Sequence, residues 1–323
     1  MVVKNRSIKA LVLAGVIVAI IVVGMMFIVP LARNRSQNVS LGREWMSLLK
    51  KHSTFSAKSP GYPVDVTFQY AAQTDENLKR LRETYDLEAI AGQGSETDRI
   101  INLTRWVFQL TGHANEPEIP KELNAFNLIH LAKDEHMQIN CFMKTVILNE
   151  VFLAMGFFSR WTHLLPHSKE EEESHVITSV YSRTLEKWIL MDPDFGVYVT
   201  DKKGNILGVA EIRNRLIAGQ PLLVKDVVNV SRSVFAKTSE KLRNFIHGAD
   251  YPWFLSDFIF KIRCPQVSMF NQRSQPNKVY FELIPDGYHE ELMQKPKITD
   301  KGDKIVFIND ESLFWQKPTV LSR

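Results

Sequence analysis

Residues 140–160 read NCFMKTVILNEVFLAMGFFSR, and this stretch decides how the rest of the chain is read. The apolar run from Cys141 to Met155 predicts a buried helix, Gly156 supplies the stop, and Phe157–Leu165 predicts a strand. A cysteine at a helix start meets unpaired backbone N–H groups and the positive end of the helix dipole, both of which favour a thiolate. The same N–H groups point to where an oxyanion forms on an attacked carbonyl.

Working outward, His175 opens a second strand, through Tyr181, in which His175, Ile177, Ser179 and Tyr181 share one face. After a turn, Trp188–Asp192 forms a third. Antiparallel pairing of these two strands brings Asp192 beside His175. Cys141, His175 and Asp192 are then the candidate catalytic residues: nucleophile, proton carrier and orienting carboxylate. Two blander readings stay open. Cys141 is one of two cysteines, so it could pair with Cys264 in an oxidising compartment, or it could be inert packing.

Upstream, Asp75–Ala91 and Ser95–Leu110 have helical spacing, the second opened by Ser95-x-x-Asp98 as a capping box, and Leu123–Leu131 predicts another helix. Downstream, Val197–Ile206 predicts a hairpin around Lys203-Gly204, Glu211–Gly219 a short helix and Ser231–His247 a longer one. Strand-like text returns from Asn277. Helices followed by sequential strands predict an α+β fold, N-terminal helices packed on an antiparallel sheet. The aromatics Tyr251, Trp253, Phe254, Phe258 and Phe260 fit a partner or substrate platform and core burial equally well.

The hydrophobic share of 45% and charged share of 24% are those of a globular protein with a substantial core. Charge is uneven. Residues 1–35 hold five basic and no acidic residues, leaving 35 basic against 36 acidic in the remainder. The folded part carries no basic stripe, which excludes a nucleic-acid-binding role. Ala10–Leu31 is 22 residues without a charge, enough at ~1.5 Å per residue to cross a ~30 Å hydrocarbon core. It predicts one uncleaved transmembrane helix, with the basic N-terminus inside and the globular part outside the cytoplasm. The expected organisation is an anchor over 1–35, a juxtamembrane stalk over 36–73, a domain over 74–219, and a C-terminal extension over 220–323, either separate from that domain or completing it.

The stretch from Thr74 to Gly219 resembles the transglutaminase-like superfamily of papain-like cysteine enzymes. The resemblance rests on Asn124-Ala125, on Cys141 with its helix through Glu150-Val151-Phe152, and on Met155-Gly156-Phe157-Phe158-Ser159-Arg160. It continues through His175 and Trp188-Ile189-Leu190-Met191-Asp192-Pro193, in the family's order of Cys, His and Asp. Two departures bear on substrate preference: Gln138-Ile139-Asn140 stands where a small residue is common, and Ile177 where an aromatic is common. The resemblance implies a thioester acyl-enzyme at Cys141 formed from a peptide or other amide. Hydrolysis is the commoner outcome; transfer to an amine, and a non-catalytic binding or scaffold module of an envelope or surface-polymer system, are alternatives.

For a second oxyanion donor, Gln138 just upstream of the nucleophile is the nominee, with Asn124 behind it. No cofactor and no metal are expected. Glu170–Glu173 lack the alternating ligands and turn glycine of a calcium loop. His113, His130, His136, His163 and His167 have no metal-ligand spacing, His163 and His167 straddling a strand end.

Overall fold

The computed structural model describes residues 44–168, 174–228 and 251–319. The chain from Met46 onward falls in one compact unit, organised around a single buried helix, α6 (Cys141–Ala154). Twelve of its fourteen residues are buried, because it is covered on every side: by α2 (Glu76–Thr84), α4 (Glu96–Gln109) and α5 (Ala125–Lys133) on one side and by the sheet on the other. Its ends are fixed locally. The Asn140 side chain accepts the Met143 N–H at 3.0 Å, a regular N-cap. At the other end Phe157 N donates to Phe152 O (2.9 Å) and Gly156 N to Leu153 O (3.0 Å), a Schellman motif. Gly156 takes φ +77° there, and a Cβ would meet Gln73 Oε1 at 2.5 Å, so glycine is required.

The main sheet has seven strands in the order β10–β11–β9–β7–β2–β3–β4. These are β2 (Ser159–Leu165), β3 (His175–Ser182), β4 (Lys187–Met191), β7 (Lys261–Pro265), β9 (Val279–Leu283), β10 (Lys297–Ile298) and β11 (Lys304–Ile308). β3 is buried along its whole length, which is why it reads as an apolar run rather than a clean alternation. Four of the seven strands come from residues beyond 260, and β7 lies beside β2. Two smaller pairs complete the unit: β1 (Gln69–Tyr70) runs parallel to β8 (Val267–Ser268), and β5 (Val197–Thr200) pairs with β6 (Leu223–Asp226). Residues 46–73 belong to this same unit, with Leu49, Val66 and Phe68 in its core.

The expected architecture needs correcting on several counts. The sheet is not antiparallel throughout, because β11 runs parallel to β9 from Lys304↔Val279 to Ile308↔Leu283, so the unit is a mixed α/β arrangement. Among the described residues no helix is long and apolar enough to cross a membrane; the span expected over 10–31 lies outside them, as does the helix expected over 231–247. The helix expected over 75–91 is two, α2 and α3 (Leu87–Ala91), because Asp86 enters the left-handed region at φ +48°. The hairpin expected over 197–206 reduces to one bridge, Thr200↔Ile206, since β5 finds its ladder partner in β6.

Candidate active site

The β3–β4 hairpin sets the relation between His175 and Asp192. Its turn is tied to the start of α4: Glu96 accepts from Ser182 Oγ (2.6 Å), Arg183 N (3.0 Å) and Thr184 N (2.9 Å). With the turn pinned, the register runs Ser182↔Lys187 to Thr178↔Met191. Asp192 therefore emerges beside the first residues of β3. His175 Nε2 donates to Asp192 Oδ2 at 2.6 Å, with both side chains buried.

Asp192 is 0% exposed and surrounded by donors. Its Oδ1 accepts the Asp194 N–H at 2.9 Å and the Phe195 N–H at 3.0 Å. Its Oδ2 is shared by His175 and the Tyr251 hydroxyl, which donates at 2.8 Å. Burial alone would raise this carboxyl; the His175 charge and these hydrogen bonds overcome it and hold Asp192 below its ordinary value. Burial likewise disfavours the imidazolium, but the charge and hydrogen bond of Asp192, joined by the Cys141 thiol, outweigh it and push His175 up to about 10. Tyr251 moves the other way, raised well above its usual range by burial and the neighbouring carboxylate, so it stays a donor.

Cys141, at the N-terminus of α6, is close enough to His175 for its sulfur to favour the charged ring. Nε2 is committed to Asp192, which leaves Nδ1 as the ring nitrogen available to the sulfur. At the helix start, Met143 N is capped by Asn140 Oδ1 and Lys144 N bonds Asn140 O (3.1 Å). The amides of Cys141 and Phe142 remain as the first-turn donors without an intrahelical acceptor. Cys141 and Cys264 are both free. Cys264 is buried in the sheet, its sulfur 3.4 Å from Thr162 Oγ1.

Aromatic rings close over the imidazole. Phe254, on α8 (Tyr251–Phe258), meets His175 edge-on at 5.0 Å, and Phe195 does so at 5.4 Å. Beneath the 192–196 turn, the buried Lys144 ammonium lies 3.1 Å from Asp194 Oδ1, and His113 Nδ1 lies 2.9 Å from Asp194 Oδ2. Sequence reasoning did not single out Lys144, Asp194 or Phe195. Tyr251 and Phe254 stood out only as part of an aromatic run with no direction assigned, although an aromatic-rich segment that is short of charge was the available signal.

Gln138 is not brought to this group by any described contact. Its side chain is exposed and lies against the end of α4, where a Cβ on Gly112 would sit 3.2 Å from its Nε2. Asn124 caps α5, accepting Asn127 N at 3.1 Å. Its neighbour Ala125 N donates to Glu150, nine residues and so roughly 13 Å along α6 from Cys141. Buried Glu150, pushed up to about 8 by burial against its two backbone donors at Ala125 and Asn271, ties α5 to the 271 loop and away from the thiol. Among the described residues no group of three or more His, Cys, Asp or Glu could hold a metal ion; residues 169–173, with most of the acidic loop, lie outside them.

No family model matches the sequence, and no curated protein matches it. Three solved chains match by structure. One, described as a putative cysteine protease from Cytophaga hutchinsonii, aligns at a TM-score of 0.30 with 12% identity, over 54% of this chain and 56% of that one. The chain thus spans just over half of that neighbour and shares a distant structural similarity with it.

Proposed function

We propose that this chain is a transglutaminase-like cysteine enzyme that forms a thioester at Cys141 from an amide substrate and hydrolyses it. The Cys141 thiolate attacks the amide carbonyl, and the developing oxyanion accepts hydrogen bonds from the Cys141 and Phe142 amides. The C–N bond breaks as His175 Nδ1–H gives its proton to the departing amine. A water then attacks the thioester, His175 taking its proton, and the thiolate leaves as the acid product departs. Asp192 keeps the ring oriented and its charge balanced through Nε2.

The observation that carries this reading is the surroundings of Asp192. Four donors converge on a carboxylate with no exposed surface, and one is an imidazole whose charged form is also favoured by the cysteine at the N-terminus of α6. A structural histidine needs one partner; this one is held between a charge and a nucleophile.

The test is acyl-enzyme trapping. Wild-type protein mixed with an activated acetate ester and quenched in acid is expected to gain one acetyl group on the peptide containing Cys141. His175→Ala should trap none under the same conditions. Acetyl groups found on surface lysines or on Cys264 but not on Cys141 would sink the proposal.

A further inference from the structure

Beside the first turn of α6, with Phe142 in its lining, a cavity of about 340 Å³ opens. That is the size of a pocket for one amino-acid side chain and lies at the lower end of small-ligand sites. Its floor follows from the register: His163↔Arg263, Arg263↔Glu282 and Tyr280↔Ile305 put alternate residues of β2, β7, β9 and β11 on one face. Phe142, the residue after Cys141, forms the inner wall, its ring 5.4 Å from Trp161 and 5.8 Å from His163. His163 pairs in the ladder with Val176 and its neighbour Leu164 with His175. Phe142, next to Cys141 in the chain, thus places the cavity beside the N-terminus of α6, while His175, paired with Leu164, belongs to the other face of the sheet.

Its charges are unequally matched. Arg263 is bound to the buried Glu282. Asp303, on the β10–β11 turn at the lip, is taken by Lys278, whose Nζ lies 3.1 Å away and whose N–H donates at 3.0 Å. Arg273, on the short turn Gln272–Ser274, comes no nearer to Asp303 than 3.9 Å, with its guanidinium 5.7 Å from the Phe142 ring centre. His163 adds no charge, since burial and the two arginines push it down to about 3. Asp300 and Lys301 also line the lip; Arg273 is the cation beside the Phe142 wall, and its nearby carboxylate, Asp303, is held more closely by Lys278.

We infer that this cavity seats a carboxylate-bearing substrate side chain, glutamate or aspartate, next to the amide attacked by Cys141, with Arg273 receiving the carboxylate. The inference rests on the reading of Cys141 as nucleophile. Aromatic walls take the methylene stem, and the planar guanidinium offers paired donors that fit a carboxylate better than a neutral amide.

Calorimetric titration of the full chain carrying Cys141→Ala, with acetyl-Ala-Glu-Ala-amide and acetyl-Ala-Gln-Ala-amide, tests it without turnover. The Glu peptide should bind about tenfold more tightly. Arg273→Gln should reduce that ratio to under about twofold, and Arg273→Glu should invert it in favour of acetyl-Ala-Lys-Ala-amide. Equal affinities, no binding of either peptide, or a preference that survives Arg273→Gln overturns the inference. Failure of the nucleophile reading shows elsewhere, as absence of acetyl transfer to Cys141 in the wild-type protein.

Discussion

His163 and His175 lie on neighbouring strands, one register step apart, yet the protein holds them in opposite protonation states. Burial acts on both in the same direction, against the charged ring. At His175 the carboxylate of Asp192 reverses it and the ring is raised to about 10; at His163, Arg263 and Arg273 add to it and the ring falls to about 3. Partner charge, not depth, decides what a buried imidazole does. One end of β3 is thereby a place where a proton can be carried, and the neighbouring cavity is a place where a neutral ring lines a wall.

The largest effects should come from breaking the charged end. Cys141→Ala should lower amide hydrolysis by roughly 10⁴-fold or more, measured as product release at saturating substrate. Asp192→Ala leaves a buried imidazole without its counter-charge. It should cost about 3–5 kcal/mol of folding stability in denaturant titration as well as activity. A stable, fully active Asp192→Ala protein would mean that the two histidines do not differ in the way argued here.

The pH dependence of stability separates the two rings directly. His175 is raised, so its contribution is complete below the unfolded value near 6.5 and is lost as pH climbs through about 10. His163 is depressed, so the unfolded chain takes up a proton that the folded chain refuses. Stability should then fall from about pH 6.5 toward 3 with a slope of up to about 1.4 kcal/mol per pH unit. His163→Gln should flatten the acid limb and leave the alkaline limb alone; the same acid slope in that variant would contradict the assignment.

Smaller changes refine the charged end. Tyr251→Phe removes one of the four donors to Asp192 and should cost about 1.5–3 kcal/mol of stability, with kcat reduced more than KM is raised. Gln138→Ala, at an exposed side chain against Gly112, should change kcat by less than about twofold.

The charged end was legible in the sequence to the extent that it is local. A helix starting at a cysteine, a glycine stop, and two strands joined by a tight turn are short-range features, and they suffice to bring Cys141, His175 and Asp192 within one argument. What was not legible is long-range. Tyr251 reaches Asp192 across 59 positions, and no periodicity announces such a contact. Nothing in the sequence analysis marks β7, whose KIRCP carries two basic residues in five, yet Lys261 is buried with its ammonium on the Ser168 carbonyl and Arg263 is neutralised by Glu282. The parallel pairing of β9 and β11 depends on a connection that neither strand encodes by itself. Arg160 was read only as part of a family-like strand start; it is 1% exposed, its guanidinium 4.1–5.0 Å from the ring centres of Phe68, Trp188, Phe314 and Trp315. A cation enclosed by four rings drawn from three distant segments cannot be inferred from neighbours in sequence.

The central claim is that His175, charged by Asp192, activates the Cys141 sulfur. Its most direct measurement is the rate at which iodoacetamide labels Cys141 at about pH 6, where a free thiol with its value near 8.5 is almost wholly protonated, with the labelled peptide identified by mass. Labelling should be at least about tenfold faster than for the same cysteine in the unfolded chain, and His175→Ala should remove that advantage. Labelling no faster than in the unfolded chain, or equally fast in His175→Ala, would contradict it.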